Sequence, residues 1–189
     1  MDARVVNTTE TVRRIFLELL AEKPIRKISV TEICTKAGIN RTTFYKHYLD
    51  VYDLMDQTEE YVLTSFQEKL DDMVNRDLRG ALIDILGYMK RYASQFGALF
   101  GPNGNPDLMV RLSKLCYPLF QRNADMDGVT ALNDELDKLC YSYISAGCTG
   151  ILGYWMQYHF EQEPEVVADL ILKLVKLTMD GMESSFTML

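Results

Sequence analysis

The 189-residue chain lacks the sequence features that mark most metal sites, membrane spans and active sites. It has two histidines and four cysteines, with no CxxC pair and no cysteine–histidine spacing suited to zinc, so we expect no metal site and no cofactor. No apolar run approaches the roughly 18 residues of a membrane span. There is no nucleophile elbow, no phosphate-binding glycine loop and no carboxylate pair with a matching histidine. These absences argue against a metalloprotein, a membrane partner and an enzyme.

Two further absences concern fold class and location. Alternating apolar and polar residues, the period of a strand, do not occur over any useful length, whereas helical spacing recurs along the chain. The N-terminal stretch MDARVVNTTE lacks the apolar core of a signal peptide. The cysteines have the pattern of buried thiols in a reducing compartment. We therefore expect an all-α, cytoplasmic protein.

Charge is unevenly spread along the chain. The net charge is −7, yet residues 1–50 hold nine basic and six acidic residues, a net charge of +3. The remaining residues hold 11 basic and 21 acidic residues, a net charge of −10. A basic segment joined to an acidic one is typical of a nucleic-acid reader with a separate second domain. Chance asymmetry is the alternative explanation.

Residues 28–54 repeat one pattern three times, and the pattern predicts helix starts. An apolar residue precedes a capping residue, a polar residue follows three positions later, and a second apolar residue comes next. The three caps are Ser29, Asn40 and Asp50, and the flanking apolar residues can close a hydrophobic staple. We predict a full capping box for Ser29 with Glu32 alone. Three starts in 27 residues leave room for two short helices before a longer one.

Gly38 separates the two short helices and suits the left-handed conformation that ends a helix. Two short helices joined by a tight glycine turn predict a helix-turn-helix, whose second helix can enter the major groove. In the second helix, predicted over residues 41–48, Phe44 and Tyr48 share one face and would anchor it. The outward residues can all donate hydrogen bonds; they are Arg41, Thr42, Thr43, Tyr45, Lys46 and His47.

The string TTFYKHY resembles the TxYxHF-like end of the DNA-binding segment in the TetR family of bacterial transcriptional regulators. The resemblance covers residues 8–56 closely, and the rest of the chain matches in general layout. The family often has a Lys where this chain has Val51, which implies one phosphate contact fewer there. We predict base contacts from the front of the second helix and phosphate contacts from its end. The predicted DNA-binding residues are Thr31, Arg41, Thr42, Thr43, Tyr45, Lys46 and His47.

The predicted organisation is a helix-turn-helix DNA-binding domain over residues 1–50 and a helical effector-binding and dimerisation domain over residues 51–189. Helices are predicted from Asn7 or Thr8 to Ala21, and then over residues 50–75, 78–94, 106–122, 130–160 and 164–182. Pro118 predicts a kink, and residues 101–106 and 125–128 predict loops. This gives an all-α fold with a three-helix N-terminal domain.

Two sets of residues in the second domain are candidate sites. Glycines at intervals of three indicate that another helix lies close, either from the same subunit or from a second copy. The resemblance implies that the last two helices form the dimer, so the candidate interface residues are Gly147, Gly150, Gly153, Leu170 and Leu174. The candidate effector-binding residues are the aromatics Tyr88, Tyr92, Phe96, Tyr117 and Tyr143, which also suit a filled core.

The function predicted from these observations is a ligand-responsive homodimeric regulator, a repressor that binds a palindromic operator. Its expected partners are double-stranded DNA, a small-molecule effector of unknown identity and a second copy of the chain. Two alternatives stay open. One is a family member that acts as a co-activator through protein partners, and the other is an all-α enzyme that binds a small molecule.

Overall fold

The structure, a computed structural model, describes residues 3–73, 77–117 and 134–186. Every regular element in these ranges is helical, which confirms the all-α prediction. The helices are α1 (Ala3–Glu22), α2 (Val30–Ala37), α3 (Arg41–Phe44), α4 (Val51–Met73), α5 (Leu78–Arg91), α6 (Ala93–Phe100), α7 (Asp107–Leu115), α8 (Asp134–Gln157) and α9 (Pro164–Phe186), with a 3₁₀ turn at Ile25–Lys27. Within the described ranges, no helix has both the length and the apolar character that a membrane crossing requires.

Several helix boundaries differ from the sequence prediction. Helix α1 begins at Ala3, upstream of the caps predicted at Asn7 and Thr8. The helix predicted over residues 78–94 is broken at Tyr92, where the backbone leaves the helical region. Residues 96–100, for which no helix is predicted, belong to α6 (Ala93–Phe100), which packs against α1. The predicted kink at Pro118 and the turn at 125–128 lie outside the described residues.

The chain divides into two compact units. The first contains Met1–Ser65 and Tyr92–Leu108, and the second contains Phe66–Arg91 and Met109–Leu189. Helix α4 therefore begins in the first unit and continues into the second. We predicted a boundary at residue 50 between the DNA-binding domain and the effector-binding domain. That boundary stays a prediction, because the compact units reflect packing within the chain and not which residues contact DNA or an effector.

The core of the first unit is built on the apolar stripe of α1. The residues of this stripe recur at helical spacing, and all are buried: Val12, Ile15, Phe16, Leu19 and Leu20. The loop after α6 is tied to this unit by two asparagine side chains. Asn103 Nδ2 donates to the carbonyl oxygen of Leu20 at 3.0 Å, and Asn105 Nδ2 donates to Glu59 Oε2 at 3.1 Å. Residues 101–106 are thus an ordered loop fixed to α1 and α4.

The second unit is built around α5, which packs against α9. Both helices bury apolar side chains, among them Ile85, Leu86 and Ile171. An ion pair joins them at the surface, since Arg79 Nε lies 2.6 Å from Asp169 Oδ1. The pairing supports the register of these helices, although an exposed pair of this kind contributes little stability.

Gly38 and Gly97 offer a matched test of the turn that ends α2. Gly38 has φ +67°, whereas Gly97 lies within helix α6, and a Cβ at either position would meet no atom within 4 Å. Gly38→Ala is expected to lower the free energy of unfolding by about 1–2 kcal/mol because of the left-handed backbone. Gly97→Ala is expected to raise it by up to about 1 kcal/mol. Urea denaturation measures both, and shifts of the same sign would contradict this account.

Candidate nucleic-acid interface

Helix α2 begins at the predicted cap. Ser29 is extended, and its Oγ accepts a hydrogen bond from the Glu32 backbone N–H at 3.2 Å. The Glu32 carboxylate does not complete the predicted capping box, because it accepts two hydrogen bonds from Lys23 Nζ, at 2.6 and 2.7 Å. The Lys23 hydrogen bond holds the pKa of Glu32 below its ordinary value. The prediction of a reciprocal box at this start was therefore wrong, since a more distant cation competes for the carboxylate.

The turn after α2 has the predicted left-handed glycine. Gly38 has φ 67° and ψ 29°, and the next backbone N–H, at Ile39, donates to the Cys34 carbonyl at 3.0 Å. Asn40 then caps α3, since its Oδ1 accepts from the Thr43 backbone N–H at 2.7 Å and from the Thr43 hydroxyl at 2.9 Å. The geometry of a helix-turn-helix is thus set by local hydrogen bonds.

The second helix is shorter than the predicted range of residues 41–48. Regular α-helix ends at Phe44, and the chain continues as turns to residue 47. The anchoring prediction is confirmed, because Phe44 is 0% exposed and Tyr48 is 4% exposed. Their ring centroids lie 5.3 Å apart. The polar residues of this segment are consequently held on a fixed, outward face.

That outward face contains most of the predicted DNA-binding side chains. Arg41, Thr42, Tyr45 and Lys46 are exposed, while Thr43 and His47 are half-buried. Thr31 is exposed on the neighbouring helix α2. The structure therefore places all seven predicted residues on the α2–turn–α3 segment, and their contact with DNA stays a prediction.

Three of these residues, Arg41, Tyr45 and Thr43, already make side-chain hydrogen bonds within the protein. The Arg41 guanidinium donates from Nη2 to the Tyr45 hydroxyl at 3.3 Å and lies 5.8 Å from the centre of its ring. The Thr43 hydroxyl is committed to the cap at Asn40. The hydrogen bond from Arg41 to Tyr45 is exposed, so Arg41 can exchange it for a hydrogen bond to a base edge. The Thr43 hydroxyl instead has a structural role at the cap of α3, which residue spacing did not indicate.

The reciprocal cap occurs at the start of α4. Asp50 Oδ1 accepts from the backbone N–H groups of Tyr52 and Asp53, at 2.8 and 2.9 Å. Asp53 Oδ2 accepts in return from the Leu49 backbone N–H at 2.7 Å. Val51, which stands where the family often has Lys, is buried. This start is therefore rigid and presents no cation at residue 51.

The predicted effector-binding aromatics are divided between the two units. Tyr92 and Phe96 belong to the first unit, where Phe96 is buried, and Tyr88, Tyr117 and Tyr143 belong to the second. In the second unit, Tyr117 packs edge-to-face on Tyr141, with ring centroids 4.8 Å apart. Their role in effector binding stays a prediction.

The predicted interface residues lie on exposed faces of α8 and α9. A Cβ added at Gly147, Gly150 or Gly153 would meet no atom within 4 Å in the protomer. Leu170 is 47% exposed and Leu174 is 45% exposed. One explanation for the glycines was close packing against another helix of the same subunit. Among the described residues, the open space around the glycines argues against that explanation.

A TetR-type family model, described as "Transcriptional regulator C-terminal region", matches residues 76–177, more than half of the chain. The chain belongs to the TetR family of transcriptional regulators. It is also similar to an uncharacterized HTH-type transcriptional regulator, YxbF, of Bacillus subtilis (strain 168), with 41% identity over 191 residues. The match covers 93% of this chain and 46% of YxbF, so this TetR-family chain spans about half the length of that relative.

Solved TetR-family structures share the fold. A TetR transcriptional regulator from Streptococcus agalactiae 2603V is 18% identical, with a TM-score of 0.68 over 92% of this chain and 96% of that one. The dihydroxyacetone kinase operon activator DhaS is also 18% identical, with a TM-score of 0.64 over the same shares of the two chains. At 18% identity, the likeness shows that the helices are arranged in the same way. It does not show which residues of this chain bind DNA or an effector.

Proposed function

We propose that this TetR-family chain is a homodimeric regulator that binds a palindromic operator. Each subunit inserts residues 41–48, the α3 segment, into the major groove. The observation that carries the proposal is the geometry of α3. Phe44 and Tyr48 are buried, so Arg41, Tyr45 and Lys46 face outward from a rigid anchor. The net charge of +3 over residues 1–50 favours a polyanion at this end of the chain.

Exposed apolar stripes on the last two helices support the homodimer. The stripe of α8 contains Leu139, Tyr143, Gly147, Gly150 and Tyr154, and that of α9 contains Val166, Leu170, Leu174 and Leu177. At 3.6 residues per turn, each stripe falls within about 80° of helix circumference. A second copy of the chain would cover both faces. Dimerisation also meets a need of DNA recognition, because one short helix reads few base pairs.

The effector is proposed to bind in the second unit. Tyr141 donates its hydroxyl to the Ser113 carbonyl beside Tyr117, and these side chains are only partly buried. Burial raises the pKa of the Cys116 thiol to about 11 and raises the pKa of Tyr141. These groups therefore stay uncharged at neutral pH. Aromatic rings with hydroxyl tips suit a flat or aromatic apolar effector with one or two polar groups.

A thermal-shift screen of neutral aromatic molecules tests effector binding. Compounds that stabilise the protein are then added to the protein–DNA complex. Stabilisers that also release DNA support an effector-controlled regulator, because a ligand shifts an equilibrium only if it binds the two states differently. Stabilisers that leave DNA affinity unchanged would contradict control of DNA binding by that ligand.

The first test of DNA binding uses random-sequence duplex over a salt series. We expect the affinity to fall steeply with salt, by about 10³-fold between 50 and 200 mM if about six phosphates are contacted. Fluorescence anisotropy measures the affinity for the duplex at each salt concentration. Undetectable or salt-independent binding would contradict the proposal and favour the co-activator or the enzyme.

We further propose that the regulator represses transcription. DhaS carries the name of an operon activator, so the direction of regulation needs its own test. A promoter flanking the coding region is placed before a reporter, with and without this chain. Lower reporter output with the chain present supports repression, and higher output supports activation.

A further inference from the structure

The cations of the first unit whose side chains the structure describes fall into two groups. In the first group, each charged side chain has a partner inside the protein. Arg13 stacks on the ring of Tyr61, 3.6 Å from its centre, and Arg14 forms an ion pair with Glu18 at 2.7 Å. Lys23 forms an ion pair with Glu32 at 2.6 Å, and Arg41 donates a hydrogen bond to Tyr45 at 3.3 Å. In the second group are Arg26, Lys27, Lys36 and Lys46, which are exposed and form no ion pair or side-chain hydrogen bond with other described residues. These four cations are therefore available to an anion outside the protein.

Arg26 and Lys27 differ from the other two because they are adjacent and lie on a fixed turn. The 3₁₀ turn Ile25–Lys27 is closed by two backbone hydrogen bonds, Lys27 N–H to the Pro24 carbonyl at 2.8 Å and Ile28 N–H to the Ile25 carbonyl at 3.0 Å. Ile28, directly after the turn, is buried. The backbone that bears the two cations is thus pinned, while both side chains project into solvent.

The position of this turn in the motif indicates its ligand. It lies just before Ser29 and α2, the first helix of the helix-turn-helix, with only Ile28 between them. In such motifs the first helix crosses the DNA backbone. We propose that Arg26 and Lys27 bind backbone phosphates beside the groove that α3 enters. The inference rests on the proposed DNA binding, and it assigns residues that orient the protein on the duplex without reading its sequence.

The direct test is Arg26→Ala with Lys27→Ala, measured on random-sequence duplex over a salt series. Loss of two phosphate contacts reduces the magnitude of the slope by about 1.8, so between 50 and 200 mM salt the variant loses about 12-fold less affinity than the unmodified chain. Arg14→Ala is the matched control, because Arg14 is a cation of the same unit that already has a partner, and its slope is expected to stay unchanged.

Two further variants separate contact from charge and folding. Arg26→Lys with Lys27→Arg keeps both charges and is expected to keep the slope. If the alanine pair fails to fold by circular dichroism, Arg26→Gln with Lys27→Gln replaces it, since glutamine keeps the side-chain length and removes the charge. A lower slope in the glutamine pair supports the inference, and an unchanged slope overturns it.

If the unmodified chain shows no salt-dependent binding, the proposed DNA-binding function itself fails. If it shows a slope that the Arg26 and Lys27 variants retain, only the phosphate contact is wrong.

Discussion

Leu170→Glu combined with Leu174→Glu is expected to turn the proposed dimer into monomers. Both side chains lie on the exposed stripe of α9, about half of each accessible to solvent in the protomer. In a monomer the new carboxylates stay in water and cost little. In a dimer they would be buried against the apolar stripe of the partner, and burying an unpaired charge costs several kcal/mol. Sedimentation by analytical ultracentrifugation measures the change in mass.

The control for this variant makes the same chemical change on other helices. Leu78 and Val110 are 41% and 52% exposed and lie on α5 and α7, outside the two stripes. Leu78→Glu with Val110→Glu adds the same two charges and is expected to remain dimeric. If both pairs of substitutions gave monomers, added charge alone would explain the result. If neither did, the stripe of α9 would not be the interface.

Loss of the dimer has a large consequence for operator binding. Two DNA-binding segments on one particle act with a high effective concentration, a gain of about 10²–10⁴ over one segment. The Leu170 and Leu174 variant should therefore lose operator affinity by about that factor, although the residues proposed to bind DNA are unchanged. Binding at high protein concentration should recover, because two monomers can still occupy the half-sites.

Gly150 allows an independent test on α8. A Cβ there meets no atom of its own protomer, so Gly150→Leu should not overpack the monomer, and it replaces a residue that weakens a helix by about 1 kcal/mol. In the dimer the same side chain enters a close-packed face, where overpacking typically costs about 1–3 kcal/mol. The expected result is weaker dimerisation without loss of helix content. Gly80→Leu, an exposed position on α5, is the control.

The helix-turn-helix was predictable because its determinants are local. The caps at Ser29, Asn40 and Asp50 each act within three residues, and the left-handed turn at Gly38 follows from the one residue type that adopts it without cost. The burial of Phe44 also followed from helical spacing alone. In each case the sequence contains both partners of the interaction within one or two turns.

What sequence reasoning missed depends on contacts between distant residues. The sequence offers the Glu32 carboxylate a donor at its own helix start, the Ser29 backbone N–H, but Lys23, nine residues away, donates to it instead. Residues 96–100 lie outside every predicted helix because the segment is short and contains glycine, and α6 is stabilised by packing against the distant helix α1. Exposure of the α8 and α9 stripes likewise cannot be read from spacing, since core and interface residues share the same period.

The division of roles within the α3 segment gives the second large expected effect. Arg41, at the front of the segment, is suited to a bidentate contact with guanine. To make that contact, Arg41 gives up only its exposed hydrogen bond to Tyr45. Arg41→Ala is therefore expected to cost about 1–3 kcal/mol on the operator and to relax specificity at one base pair. Lys46→Ala is expected to weaken binding to all sequences and to lower the salt slope by about one. Anisotropy on the operator, on single-base variants and on random duplex measures both.

Conservative variants distinguish base reading from charge at these two positions. Arg41→Lys keeps the positive charge and removes the planar fork, so it should bind random duplex as before and still lose specificity on the operator. Lys46→Arg keeps a phosphate contact and should resemble the unmodified chain on every duplex. If Arg41→Lys retained full specificity, Arg41 would act as a simple charge. Operator recognition would then have to come from Thr42 and the other exposed side chains of α2 and α3.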